Sequence, residues 1–224
     1  MKSQKHRKLS ADGFSLVELL VVVSVILIVA AVATPNVISA LRTQRLRGTA
    51  TDYASLLQRA RIRAVEDNRF YGVQPDAAAN ATLVYVDMYP ANPNGTSGGG
   101  LGAYFAGPPS DPMIPFASDV TIIAAAAVPN TNALVAQVLP AGAPAGIFQN
   151  LPPFFSPRGV PCWPQAGIPT PGCDIYNAGG NPVSYVTYFQ SQTSNNIEAI
   201  TITPAGRIQH WLYTGFGPNF WARL

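Results

Sequence analysis

Histidine, cysteine and charged residues are scarce in this chain, and their scarcity limits the chemistry that it can perform. Of 224 residues, two are histidine and two are cysteine, and charged residues make up 11%. The histidines, His6 and His210, lie near opposite ends of the sequence, so they predict neither a metal-binding cluster nor a Ser/His/Asp catalytic set. His210 stands beside Trp211 in a predicted strand, where a surface or packing role is expected. We therefore predict that the protein is not an enzyme and has no catalytic residue, metal site or cofactor.

Sequence signals for calcium and phosphate binding are missing as well. Acidic residues are scattered singly, without the repeated spacing of a calcium-binding loop, although a calcium loop assembled from dispersed ligands stays open as an alternative. The glycine run Gly98–Gly100 lacks the Gly-Lys-Ser/Thr ending of a phosphate-binding loop, and no helix is predicted after it. These absences favour a structural or binding protein.

The amino-terminal segment joins a short basic leader to a long apolar run. Lys2, Lys5, Arg7 and Lys8 precede a Gly13-Phe14 junction. The 21 residues that follow, 14–34, contain one charge, and as a helix they span roughly 30 Å, the thickness of the hydrocarbon core of a membrane. The positive-inside rule places the amino end in the cytoplasm and the rest of the chain outside. An ordinary secretory signal is cleaved after its apolar segment, whereas cleavage at this junction would retain it.

This arrangement, Gly-Phe-Ser-Leu-Val-Glu-Leu-Leu-Val-Val, resembles the type III signal of type IV pilins and type II secretion pseudopilins. The resemblance implies that a prepilin peptidase cuts between Gly13 and Phe14 and that the new amino terminus, Phe14, is methylated. It further implies that Glu18 pairs with the terminal amine of a neighbouring subunit in a filament. The alternative is a plain anchor helix in which Glu18 lies near the membrane interface and is neutralised by protonation. Pro35 should bend or locally melt the helix, and similar pilins carry a proline at this distance from the processed end.

The cysteines, Cys162 and Cys173, lie eleven positions apart in a stretch rich in proline and glycine. Two thiolates without a nearby histidine or a second cysteine pair supply only half of a zinc site. In an extracytoplasmic domain they predict one disulfide that closes a surface loop. On the chain-entropy model, such a loop contributes about 3 kcal/mol.

Periodicity changes along the rest of the chain. An amphipathic helix is predicted over 36–67, because apolar residues recur there at alternating spacings of four and three: Leu46, Ala50, Tyr53, Leu57, Ala60 and Ala64. From Arg69 onward the period shifts toward two, which predicts strands over 69–74, 81–88, 119–124, 133–138, 147–155, 183–189, 198–203 and 207–213. The predicted fold class is α+β, with the long helix packed on an antiparallel sheet. The predicted segments are a leader (1–13), a transmembrane and filament-core helix (14–35), the amphipathic helix (36–67) and a β-rich domain (68–224).

Three short segments of the domain resemble the GspH/FimT group of minor pilins and pseudopilins. They are Ala60–Ala64 (Ala-Arg-Ile-Arg-Ala), Phe154–Gly159 (Phe-Phe-Ser-Pro-Arg-Gly) and Ile200–Ile208 (Ile-Thr-Ile-Thr-Pro-Ala-Gly-Arg-Ile). The resemblance implies a pilin-like fold and a minor subunit of a type IV pilus or a type II secretion pseudopilus. Its partners would be other pilins, the prepilin peptidase and the inner-membrane assembly platform. The expected location is the bacterial inner membrane, with a single span, and then the filament.

The second hypothesis is DNA capture, as in FimT-like minor pilins that carry a Gly-Arg-x-Arg sequence near the last hairpin. This chain has Gly206-Arg207-Ile208-Gln209, so Arg207 is a possible DNA contact and Gln209 replaces the second arginine. Without the leader, ten basic and ten acidic side chains remain, and a neutral domain is a poor binder of polyanions. Seven arginines lie between 42 and 69 and predict a solvated or subunit-facing helix side rather than a nucleic-acid surface, while those at 42–47 are also placed to meet lipid headgroups.

Overall fold

The computed structural model describes residues 15–68, 70–76, 81–86, 114–138, 147–149, 151–164, 173–177, 179–192, 196–215 and 220–224. The chain divides into two compact units, Met1–Leu41 and Arg42–Leu224. The described helices are α1 (Leu16–Glu66) and α2 (Thr131–Val138). The described strands are β1 (Tyr71–Asp76), β2 (Ala81–Val86), β3 (Ile114–Pro115), β4 (Val120–Ile122), β5 (Ile147–Gln149), β6 (Phe154–Phe155), β7 (Pro161–Pro164), β8 (Cys173–Asp174), β9 (Ser184–Ser191), β10 (Ile197–Ile202), β11 (Ile208–Tyr213) and β12 (Trp221–Arg223).

In the first unit, α1 is apolar and its side chains are exposed from its first residue through Leu41. The helix is long and apolar enough to cross a membrane. Pro35 lies inside α1, and the helix continues through it without a melted turn. The bend that was predicted at Pro35 stays a prediction. Side chains on either side of the proline bond to the preceding turn: Thr34 Oγ1 donates to the carbonyl of Ala30 at 2.7 Å, and Asn36 Nδ2 to that of Val32 at 3.5 Å. Such bonds help to satisfy carbonyls near a proline, which itself has no N–H to donate.

In the second unit, α1 buries the face that its periodicity predicts. Leu46, Ala50, Tyr53, Leu57, Ala60 and Ala64 are all at most 1% exposed. They pack against Tyr71 and Val73 of β1, Phe155 of β6, and β9 and β10, where Tyr185, Phe189, Ile200 and Ile202 face the helix. The predicted packing of the long helix on sheet is therefore present.

The described strands form two sheets. The first has the order β3-β2-β1-β6-β7-β8, and the second has the order β12-β11-β10-β9-β4, with β5 beside β9. All of these pairings are antiparallel except that of β5 with β9. A second apolar cluster lies on the far face of the second sheet, where Leu134 and Val138 of α2 pack with Val186, Trp211 and Trp221. This architecture confirms the predicted α+β class.

The strand predicted over 133–138 is wrong, because these residues belong to α2. The alternating apolar pattern there also fits a helix, since Leu134 and Val138 are four residues apart and lie on one helical face. Both side chains are buried, and the residues between them are exposed or half-buried. Burial of Leu134 and Val138 against the second sheet therefore selects the helical period over the strand period of two.

The single strand predicted over 147–155 is two strands in different sheets. β5 pairs with β9 in the second sheet, and β6 pairs with β1 and β7 in the first. Pro152 and Pro153 lie between them, and prolines cannot donate to a strand ladder. Strands β3, β7, β8 and β12 were not predicted. The glycine run at 98–100 lies outside the described residues.

Candidate functional site

The predicted processing site, Gly13 and Phe14, lies outside the described residues. Glu18 lies in the first turn of α1 and is exposed. An acidic side chain in the first turn interacts favourably with the positive end of the helix dipole. Exposed apolar side chains surround it along the helix, including Leu16, Val17 and Leu19, each at least 60% exposed. An acid at this place is available to a partner molecule.

The predicted cysteine pair is bonded in the structure. Cys162 of β7 and Cys173 of β8 are joined, with their Cα atoms 5.2 Å apart, and neither is free. Cys162 is fully buried, and its carbonyl accepts a hydrogen bond of 2.6 Å from the hydroxyl of Tyr185. The bridge thus joins the edge of the first sheet to a chain segment that also contacts the second.

The three sequence segments that carry the GspH/FimT resemblance meet in space. Arg61 of α1 donates from Nε to the carbonyl of Gly159 at 2.8 Å. Gly206, in the turn between β10 and β11, packs on the same carbonyl, because a Cβ built at Gly206 would lie 2.4 Å from Gly159 O and 3.2 Å from Arg61 Nε. The sequence showed only that these segments resemble those of one group of proteins, and it gave no sign that they contact one another.

This contact brings three arginines from separate segments to one region of the surface, the arginine turn cluster: Arg61, Arg158 and Arg207. Arg158 precedes Gly159, Arg207 follows Gly206, and both side chains are exposed. Arg61 is half-buried between the two turns. Gln209, at the position of the missing second arginine, is half-buried in β11.

A second polar group, which the sequence did not reveal, lies between α1 and β10. Glu198 is fully buried, its Oε2 is 2.6 Å from His210 Nε2, and its Oε1 is 3.7 Å from Arg47 Nε. Within the described part of the chain, no group of three His, Cys, Asp or Glu side chains is arranged to hold a metal ion. His210, which was expected to be a surface or packing residue, is half-buried and makes this part-buried hydrogen bond.

Three buried tyrosines, Tyr53 of α1 and Tyr185 and Tyr188 of β9, place hydroxyl groups inside the domain. Tyr53 bonds to Thr187 at 3.2 Å. Burial raises the pKa values of Tyr53, Tyr185 and Tyr188 well above that of free tyrosine, so all three hydroxyls are neutral in the folded domain at ordinary pH.

Comparison with known proteins identifies the amino-terminal segment. Residues 9–34 match the prokaryotic N-terminal methylation motif. The chain therefore carries a prepilin-type methylation motif in its amino-terminal segment.

No curated protein matches the chain in a sequence comparison. Among solved structures, the type IV minor pilin FimU of Pseudomonas aeruginosa is similar over 75% of this chain and 88% of that chain, at 16% identity and a TM-score of 0.43. This likeness is too distant to carry an inference about function.

Proposed function

We propose that the chain is a minor pilin or pseudopilin, anchored in the bacterial inner membrane by α1 and then incorporated into a type IV pilus or a type II secretion pseudopilus. The methylation motif over 9–34 is the observation that carries the proposal. The apolar helix that begins within this motif supports it, because the helix exposes its side chains and is long enough to span a membrane. The partners in this proposal are other pilins, the prepilin peptidase and the inner-membrane assembly platform. The carboxyl-terminal unit lies on the extracytoplasmic side.

Processing is the first test of this proposal. Mass spectrometry of the protein from its native cells should show a mature chain that begins at N-methylated Phe14. A chain that begins after Ala33 would indicate an ordinary secretory signal. A chain that retains Met1, in cells that process their other pilins, would also refute cleavage at Gly13.

Glu18 tests assembly separately from processing. We propose that its carboxylate pairs with the Phe14 amine of the next subunit, because an acid in an apolar span is costly unless it has a partner. Glu18→Ala should leave membrane insertion intact and reduce recovery of the subunit in sheared filaments or in crosslinked pseudopilus complexes. Ser24→Ala, in the same exposed apolar stretch, is the matched control and should assemble normally. Normal incorporation of Glu18→Ala would argue against the pairing.

DNA capture is kept as a second candidate because of the arginine turn cluster. Arg158 and Arg207 are exposed at neighbouring turns, so Arg158 supplies a second cation where Gln209 does not. Three arginines contact few phosphates, and salt weakens binding in proportion to the number of phosphates neutralised. We therefore expect no micromolar DNA binding by the mature chain at about 150 mM salt.

A gel-shift titration of the detergent-solubilised mature chain measures this directly. At low salt, Arg207→Ala and Arg158→Ala should each weaken any binding, whereas Arg223→Ala, an exposed arginine on β12, should not. Micromolar binding at physiological salt that depends on Arg207 would make DNA capture the leading function. Deletion of the gene distinguishes the pilus role from the secretion role. Loss of pilus assembly would indicate a pilus subunit, and loss of pseudopilus assembly would indicate a secretion subunit.

A further inference from the structure

The arginine turn cluster adjoins two exposed apolar side chains of α1. Ile62 and Val65 lie three residues apart on one face of the helix, and they are 46% and 53% exposed. Val65 packs beside the turn between β6 and β7, because a Cβ built at Gly159 would lie 3.0 Å from Val65 Cγ2 and 3.4 Å from Arg61 Nε. Apolar and cationic side chains are therefore neighbours on one surface, the basic–apolar face: Arg61, Ile62, Val65, Arg158 and Arg207.

The backbone under the basic–apolar face is held in one arrangement. Arg61 Nε donates to the carbonyl of Gly159 at 2.8 Å, and Gly206 packs on the same carbonyl. Both glycines are buried, with φ of +71° and +77°. The two turns that carry Arg158 and Arg207 are thus held against α1. A surface that is ordered before a partner arrives loses less conformational entropy on binding, so this face is suited to docking.

The charge of the basic–apolar face is unbalanced. Within the described part of the chain, no arginine of the arginine turn cluster forms an ion pair. Two acids, Glu66 and Asp67, follow at this end of α1. The carboxylate of Asp67 already accepts a hydrogen bond from the hydroxyl of Tyr71, which leaves Glu66 as the available acid among the described residues there. Three cations beside one acid favour a partner that supplies negative charge.

The apolar side chains indicate which kind of partner supplies that charge. A nucleic-acid backbone offers phosphates but little apolar surface to Ile62 and Val65. A protein segment in which carboxylates stand next to apolar side chains complements both parts of the face. A second copy of the chain is a poor match, because the described acid that it could offer from the same end of α1 is Glu66, against three arginines.

We propose that the basic–apolar face docks an acidic and apolar segment of a different protein. The face itself follows from the contacts and charges of the domain. The further statement that this partner is another pilin of the same filament rests on the proposed function.

Photocrosslinking of the full chain in its native cells tests this proposal. Benzoylphenylalanine replaces Gln58, which is exposed and lines the same surface depression as Ile62, so the face stays intact. Mass spectrometry then identifies the crosslinked peptide, which should come from another protein and carry Asp or Glu next to apolar residues. Crosslinks to nucleic acid, to a second copy of this chain or to a segment without acids would overturn the proposal, as would the absence of a crosslink.

Charge reversal tests the arginines in the same assay. Arg158→Glu and Arg207→Glu should each lower the crosslink yield by at least about fivefold, because like charges then face each other. Arg223→Glu is the matched control, since it reverses an exposed arginine on β12, and it should leave the yield unchanged. Replacing the partner's acid with Lys should restore the crosslink to the reversed variant.

The reversed side chains are exposed, so both variants should fold, and an unchanged Tm of the purified chain checks this. An unchanged crosslink yield in Arg158→Glu and in Arg207→Glu would overturn the proposal. A partner that shows the expected charge dependence but is not a pilin would support the docking face and contradict the proposed function, so the two failures are distinguishable.

Discussion

Glycine is required at position 206 for two separate reasons. Its φ is +77°, a backbone conformation that side chains with a Cβ adopt at a cost of about 1–2 kcal/mol. In addition, a Cβ would lie 2.4 Å from the carbonyl oxygen of Gly159, a backbone atom that cannot rotate away. Any larger residue therefore separates the two turns that Arg61 holds together.

Gly206→Ala should accordingly lower the free energy of unfolding by more than the loss that backbone strain alone would cause. Gly180→Ala is the matched control, because Gly180 has a φ of +73° and no atom lies within 4 Å of the point that a Cβ there would occupy. We expect a loss of about 1–2 kcal/mol for Gly180→Ala and at least twice that for Gly206→Ala. Urea unfolding monitored by tryptophan fluorescence measures both. Equal losses would show that the contact with Gly159 is relaxed at little cost.

At the scale of elements, the disulfide joins β7 to β8, two short strands at one edge of the first sheet. We propose that the bridge forms in the cell, because the domain lies on the extracytoplasmic side in the proposed topology. Reduction should lower the free energy of unfolding by about 3 kcal/mol on the chain-entropy model. Denaturant unfolding with and without reductant measures the difference. Thiol labelling of the unfolded, unreduced protein should find neither Cys162 nor Cys173 free, and full labelling would refute the bridge.

Elements with a long and regular pattern could be predicted from the sequence, and short ones could not. The seam from Leu46 to Ala64 covers five turns, so its period was clear. Residues 133–138 are too few to distinguish a period of two from one of four, and their burial on the second sheet selected α2. Strands such as β3 and β12, of two and three residues, exist because a neighbouring strand pairs with them.

The candidate sites also divide into one that could be predicted from the sequence and others that could not. The amino-terminal motif is contiguous in sequence, so it could be identified directly and the motif match agrees with it. The arginine turn cluster and the Glu198 group each combine residues more than 90 positions apart. Contacts of that separation depend on how the sheets pack on α1, which local patterns do not encode.

At the scale of the whole domain, β9 joins the two apolar clusters. Tyr185 and Phe189 face α1, and Val186 and Tyr188 face α2. A strand buried on both faces couples the packing of both clusters. We expect the domain formed by residues 42–224 to unfold in one cooperative transition, with tryptophan fluorescence and far-ultraviolet circular dichroism changing together. Two separated transitions would show that the clusters fold independently.

Alkaline pH should unfold this domain through its buried tyrosines. Burial raises the pKa values of Tyr53, Tyr185 and Tyr188 above that of free tyrosine, so the unfolded chain releases these protons at lower pH than the folded domain does. The contribution of the neutral buried tyrosines to the free energy of unfolding is therefore fully present below a pH of about 10. Above that pH it falls by up to about 1.4 kcal/mol per pH unit for each tyrosine.

The measurement is a series of urea unfolding curves at rising pH, with phenolate absorbance recorded in parallel. Tyr53→Phe removes one buried hydroxyl, whose bond in the structure is to Thr187 at 3.2 Å. This variant is expected to be less stable at neutral pH, where that hydrogen bond is lost, and to lose stability less steeply above a pH of about 10. An unchanged slope in Tyr53→Phe would contradict its role. Ionisation of the three buried tyrosines while the domain stays folded would contradict the whole account, because their hydroxyls would then be open to water.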